Sequence, residues 1–204
     1  LAQFFTQPRR MFLAITHGVS GSGKSTIAVA LVAASGAVRI RSDVERKRLA
    51  GLAPEQRSEP QQRDSLYSAA MSRKTFSRLE ELAGQVIVAG LPVIIDATFL
   101  HRSTRDSFRQ LARRLSVPFV IVDCIAEPDQ LRQRLIERAR HAQDASEADV
   151  AVMEQQLGSA QALAQGGLDA VKKLVHALLQ AVVLEHQRVA HHHTGHAGVL
   201  LGKL

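Results

Sequence analysis

The stretch Met11-Phe-Leu-Ala-Ile-Thr-His-Gly-Val-Ser-Gly-Ser-Gly-Lys-Ser-Thr26 decides the fold. Gly18, Gly23, Lys24 and Ser25 occupy the fixed positions of the pattern G-x-x-x-x-G-K-[ST]. Met11 to His17 is a short apolar run of strand type, and Ser25 to Ala34 reads as a helix opening directly from the loop. Strand, glycine loop and helix form the context in which this pattern cradles phosphates. Glycine lets the backbone turn back and aim successive N–H groups at phosphate oxygens. The helix N-terminus adds its partial positive charge. Gly18, Ser20, Gly21, Ser22, Gly23, Lys24, Ser25 and Thr26 are therefore expected to hold ATP, with Lys24 reaching the β- and γ-phosphates and the Ser25 hydroxyl ligating Mg²⁺. The alternative, a glycine-rich turn with a chance Lys-Ser, does not account for the flanking elements.

Outward from this loop, strands and helices alternate. Residues 37–41 read as a second strand ending at Ser42-Asp43, followed by a short helix over 43–49. Residues 51–63 are rich in Pro, Gln and Glu without apolar period, which reads as a loop. The spacing of Leu66, Ala69, Phe76, Leu79, Ala83 and Val86 predicts one helix over 64–89, ended by Gly90. Residues 91–96 and 118–124 are apolar strands, each followed by a helix (103–115 and 127–140). A polar loop over 142–149 and a helix over 150–164 come next. This order predicts an α/β fold of three layers, a mainly parallel sheet with helices on both faces. Ligand then binds at the edge where the strands end. Residues 1–10 read as a leader or linker, 11–165 as the domain, and 166–204 as a C-terminal helix and His-rich tail of uncertain role. His186, His191–His193 and His196 in that tail could bind metal adventitiously.

Composition narrows the class. The chain has 204 residues, 46% of them apolar, with a mean hydropathy of −0.03, as expected of one soluble domain. No apolar run reaches the ~20 residues of a membrane span, and no signal peptide is legible. One cysteine, Cys124, suits the cytoplasm and reads as a buried thiol in a strand. A net charge of +7 attracts anions, but aromatics are only 4% and Trp is absent, so stacking platforms for nucleic acid are scarce.

The residues just past each strand supply candidates for chemistry. Asp43 follows Lys24 by 19 residues and is expected at the end of a strand lying beside the first. There it could accept the proton of an attacking hydroxyl, with Arg46 three residues on holding the acceptor or the transferring phosphoryl group. Helix N-capping is the alternative role of Asp43. Asp96, ending Val93-Ile-Ile, fits a carboxylate that holds Mg²⁺, and Asp123 is a weaker rival. Arg102 and Arg105 read either as substrate contacts or as surface charges. Arg134 and Arg138 share a helix face and could neutralise charge on the γ-phosphoryl group, with 141–149 as a lid; a solvated basic face is the alternative.

Four ordered motifs then carry a resemblance: Gly18–Thr26, Arg41-Ser-Asp-Val-Glu-Arg-Lys-Arg-Leu49, Ile95-Asp-Ala-Thr-Phe-Leu100 and Asp144-Ala-Ser-Glu-Ala-Asp149. Over residues 10–163 they resemble the predicted P-loop kinases of the AAA-like ATP-binding class. That family occurs alone or fused behind an aminoglycoside-phosphotransferase-like domain, which would suit a start at Leu1. More distantly the chain is similar to the 5′-kinase domain of bacteriophage polynucleotide kinase, chloramphenicol phosphotransferase and gluconate kinase. In the polynucleotide kinase an Asp-x-x-Arg element carries the acceptor base, matching Asp43 and Arg46, and a lid arginine matches Arg138. The resemblance implies ATP, Mg²⁺ and a hydroxyl acceptor. The expectation is thus a cytoplasmic phosphotransferase in which Lys24, Asp43, Arg46 and Arg138 are catalytic, Arg134 helps hold ATP, and Ser25 and Asp96 organise Mg²⁺. A small-molecule acceptor is favoured over a polynucleotide 5′-hydroxyl or a non-catalytic ATP-binding module.

Overall fold

The computed structural model describes residues 10–141 and 145–163. Four strands form one parallel sheet in the order β2-β3-β1-β4: β1 (Leu13–His17), β2 (Val38–Arg41), β3 (Val93–Asp96) and β4 (Phe119–Asp123). The helices are α1 (Lys24–Ser35), α2 (Ser42–Leu49), α3 (Pro60–Leu66), α4 (Ala69–Val88), α5 (Arg102–Arg114), α6 (Pro128–His141) and α7 (Val150–Ser159). None is long and apolar enough to cross a membrane.

Alternation along the central strands divides the core into two layers. Leu13, Ile15, Val93 and Ile95 face α4 and α5, packing on Leu79, Ala83, Phe108 and Leu111. Ala14 and Ile94 face the other way, toward Ala28 and Leu31 of α1. Every residue of β3 is buried, as a strand covered on both faces must be. The three-layer expectation therefore holds.

Two expectations are corrected. The second strand does not lie beside the first, because β3 sits between them. β3 is four residues of continuous apolar-to-Asp96 sequence and claims the interior, whereas β2, Val-Arg-Ile-Arg, carries two half-buried arginines and takes the edge. The helix predicted over 64–89 is two helices. The Ser68 hydroxyl accepts a hydrogen bond from the Met71 N–H at 3.2 Å and starts α4 afresh. Upstream, Glu59 and Gln62 form a capping box that opens α3 inside the expected loop. Apolar spacing alone carries no sign of this break, since Leu66, Ala69 and Phe76 stay in helical phase across it.

At the ligand edge, strand pairing is prolonged by side chains. The Thr16 hydroxyl donates to the Ala97 carbonyl at 2.7 Å and accepts from the Ala97 N–H at 3.0 Å. Phe99, just beyond, adopts a left-handed backbone at φ 47° and is held there by edge-to-face packing on Phe76 and Phe108. The leader (1–9), part of the predicted lid loop (142–144) and the whole tail from 164, with its predicted helix and histidines, lie outside the described residues.

Candidate active site

The phosphate loop is built by close backbone approach. Gly18 has φ 133°, and a Cβ there would lie 2.4 Å from the Cys124 carbonyl oxygen, so a side chain cannot be accommodated. Its N–H donates to the Thr98 carbonyl at 3.1 Å, which ties the loop to the segment following β3. Gly23 caps α1 in the left-handed region at φ 89°, leaving the first-turn amides of Lys24 to Thr26 at a helix N-terminus. The Lys24 ammonium folds back to donate to the Val19 carbonyl at 2.7 Å. Burial pulls its pKa below the usual lysine value, while Asp96, Cys124 and Asp43 work in the opposite direction.

Ser25 and Asp96 meet as expected: the Ser25 hydroxyl donates to Asp96 Oδ2 at 2.8 Å, and Asp96 is 5% exposed. A hydroxyl and a carboxylate converging beside a phosphate loop are the hard oxygen donors that Mg²⁺ takes, few in number because phosphates and waters complete its shell. The fit is therefore good. Arg39 from β2 also binds this carboxylate, its Nε at 3.1 Å, and so fixes the orientation of Asp96. The rival Asp123 is engaged elsewhere, bonded to His17 Nδ1 at 2.7 Å where β4 and β1 end.

On the other side of the cavity, α2 begins at Ser42, so Asp43 lies inside the first turn and not at the N-cap, which is Arg41. Arg46 is buried, donates to the Leu66 carbonyl at 3.1 Å and to the Ser72 hydroxyl at 3.3 Å, and stacks 5.2 Å from the Tyr67 ring centroid. Burial lowers the Arg46 pKa, an effect Asp43 counters. Burial, reinforced by Asp43, pushes the Tyr67 hydroxyl up to about 12, so Tyr67 is a neutral hydrogen-bonding wall near pH 7. On α6, Arg134 donates to the Gly21 carbonyl at 3.3 Å, and Arg138 to the carbonyl of Ala148.

One cavity of about 560 Å³ unites these groups: Lys24, Ser25 and Asp96, Asp43 and Arg46 of α2, and Arg134 and Arg138 of α6 all line it. Gly21, Gly23, Ser20 and Thr26 line it too, whereas Gly18 and Ser22 do not. Arg102 is a surface charge, paired with Asp106 at 3.6 Å. Arg105 is neither a substrate contact nor a surface charge. It is 3% exposed and donates to the carbonyls of Phe99, Leu100, Gln161 and Ala162, each near 3.0 Å, pinning the chain beyond α7 to the segment after β3. Cys124 is buried and its thiol is raised to about 11, mainly by burial, which makes it a poor nucleophile.

Several lining residues escape a reading of the sequence, among them Tyr67, Ser72 and Gln156. Gln156 Oε1 accepts from the Ser20 N–H of the phosphate loop at 2.8 Å, across 136 residues of chain. Tyr67 had one available signal, being the sole tyrosine, sited where the helical pattern conceals a break.

A family model described as an AAA domain matches residues 13–163. The chain belongs to this AAA-domain family. Its parallel sheet and phosphate loop have the P-loop kinase fold. The AAA domain is similar to a sugar kinase of Janibacter sp. HTCC2649, with 23% identity over 76% of this chain and 80% of that one, at a TM-score of 0.55. It is similar to a gluconokinase of Sinorhizobium meliloti 1021, with 17% identity over 91% and 99% and a TM-score of 0.55. It is likewise similar to the APS kinase of Mycobacterium tuberculosis solved with AMPPNP and APS, with 18% identity over 86% and 99% and a TM-score of 0.55. No curated protein sequence matches it. At these identities the likeness establishes the fold.

Proposed function

We propose that this AAA domain is an ATP- and Mg²⁺-dependent phosphotransferase that moves the γ-phosphoryl group of ATP to a hydroxyl of a small molecule. The observation that carries the reading is the single cavity in which a phosphate loop faces a carboxylate and an arginine on a separate helix. Its volume falls in the range of roughly 300–1,000 Å³ typical of small-ligand sites. Family membership and kinase neighbours support it.

Lys24 and the loop amides hold the β- and γ-phosphates, and Arg134 and Arg138 neutralise charge developing on the transferring group. Ser25 and Asp96 would hold Mg²⁺, which would supply positive charge against the phosphates. Asp43 accepts the proton of the acceptor hydroxyl as its oxygen bonds to the γ-phosphorus, and the bond to the β,γ-bridging oxygen breaks to release ADP. Arg46, fixed by Leu66, Ser72 and Tyr67, orients the acceptor. A cytoplasmic setting suits this chemistry, as would fusion to a partner domain.

Release of ADP during a screen of small hydroxyl compounds (sugars, sugar acids, amino alcohols) tests the reading, which predicts strong stimulation by at least one class. Stimulation by none sinks it. A net charge of +7 and the Asp43–Arg46 pair favour one second reading, a polynucleotide 5′-hydroxyl kinase. Labelled phosphate on a 5′-hydroxyl oligonucleotide, with no turnover on small alcohols, would select that reading.

A further inference from the structure

The connection leading into α7 buries a carboxylate away from the phosphate loop. The Glu147 side chain is 2% exposed, accepts from the Ser58 N–H at 2.9 Å and from the Ser58 hydroxyl, and pairs with Lys47 Nζ at 3.0 Å. Lys47 is itself 1% exposed and also donates to the carbonyls of Pro54 at 3.2 Å and Gln56 at 2.7 Å. Arg63 of α3 adds a charge 3.6 Å from the same carboxylate. Burial by itself would raise the Glu147 carboxyl, but the Ser58 hydrogen bonds and Lys47 outweigh it and hold the group below its ordinary value. A carboxylate so placed is tolerated only in a fully paired geometry, so it dictates where its partners stand.

The contacts of Glu147 and its neighbour reach three parts of the cavity's frame. Lys47 follows Arg46 on α2 and lies one turn beyond Asp43. The Tyr67 phenol, over which Arg46 stacks, meets the Glu147 backbone. The next carbonyl, that of Ala148, accepts from Arg138. One residue is thus linked to the helix of the proposed base, to the wall behind the acceptor-holding arginine, and to the arginine above the phosphates.

We propose that Glu147 is a positioning residue, a strut that sets Asp43 and Arg46 on α2 at a fixed distance from Arg138, and so couples the acceptor half of the cavity to the donor half. The inference rests on the phosphotransferase reading. Glu147 lines no part of the phosphate loop, so its loss leaves nucleotide binding intact while the in-line geometry of transfer loosens. Displacements of about 1 Å in such sites cost on the order of 10²-fold in rate.

The experiment uses the full chain with Glu147→Gln, which keeps the shape and removes the charge, and Ser58→Ala as a milder variant. Glu154→Gln, an exposed carboxylate paired with Arg132, is the control. In Glu147→Gln, kcat for the best acceptor falls about 10- to 100-fold, while the Kd for AMPPNP with Mg²⁺ stays within about twofold. Ser58→Ala shows the same split at smaller size, and Glu147→Asp recovers part of the rate. When Asp43→Asn is already present, Glu147→Gln costs little further, because the strut acts through the placement of that base. A wild-type kcat in Glu147→Gln, an equal loss in both backgrounds, or a parallel loss of AMPPNP binding overturns the proposal. Absence of any acceptor-dependent turnover in the wild-type protein refutes only the phosphotransferase reading. The strut is then read from amide exchange at Ser58 and residues 145–149 with AMPPNP bound. Faster exchange in Glu147→Gln supports it, and unchanged exchange overturns it.

Discussion

The two halves of the cavity are built by different means. The proposed donor half has a local centre: one strand end, eight loop residues and one helix N-terminus present lysine, hydroxyl and backbone amides from a continuous stretch, and only Asp96 of β3 and Arg134 and Arg138 of α6 join it from elsewhere. The acceptor half is assembled from α2, the α3–α4 break and, through Glu147, the connection before α7, and its arginine and lysine are buried in contacts with distant carbonyls. Backbone amides need only the right turn to bind phosphate, so a short motif suffices. A pocket that must hold one hydroxyl against one carboxylate needs several elements fixed at once. The donor half should therefore fail abruptly at single residues, and the acceptor half should fail through coupled residues.

The largest expected effect is on the donor side. Lys24→Ala should lower kcat/KM for ATP about 10³-fold, measured as acceptor-stimulated ADP release, with the thermal midpoint little changed because the ammonium now gains only one carbonyl bond. Retention of activity within tenfold would mean the loop binds phosphate without its lysine. Asp43→Asn comes next and sharpens the division between the halves: kcat falls about 10²-fold while AMPPNP affinity is preserved. Equal loss of both would place Asp43 on the donor side.

Arg105→Leu probes the frame that joins the halves. It leaves four carbonyls without their donor and should cost about 2 kcal/mol of stability, read by denaturant unfolding, with KM for ATP unchanged in the folded fraction. The smallest effect is pH-linked. Because the Glu147 carboxyl is held below its ordinary 4.5, it stabilises the fold above that pH and loses this contribution as the pH falls further. Unfolding of the wild-type chain below pH 4.5 should therefore be steeper than that of Glu147→Gln, by about 1 kcal/mol at most. Parallel curves would show that Lys47, Arg63 and Ser58 do not favour the ionised form.

Much of the site was legible because its chemistry sits at strand ends. Gly18–Ser25, Asp43, Asp96 and the Arg134–Arg138 pair could be named from pattern and spacing, and the structure gathers Lys24, Ser25, Asp43, Arg46, Asp96, Arg134 and Arg138 around one cavity. The misreadings have a common cause. Arg105 looks like any helix arginine until the carbonyls of Phe99, Leu100, Gln161 and Ala162 converge on it. Strand order could not be read from chain order, because it depends on which strand can be covered on both faces. The break at Tyr67–Ser68 is invisible to periodicity, since a cap replaces one helix by another without disturbing the apolar phase.

Local chemistry suffices for the phosphate loop and the alternating α/β architecture, since glycine positions, a Lys-Ser pair and apolar periodicity act within a few residues of each other. Long-range packing was needed to show that β3 separates β1 from β2, that Arg105 is a buried pin, and that Glu147 binds Lys47 and Ser58. These depend on contacts between residues as many as 100 positions apart in the pairing of Lys47 with Glu147. The free energy of a buried charge is set by the partners that surround it, and chain neighbours do not name them.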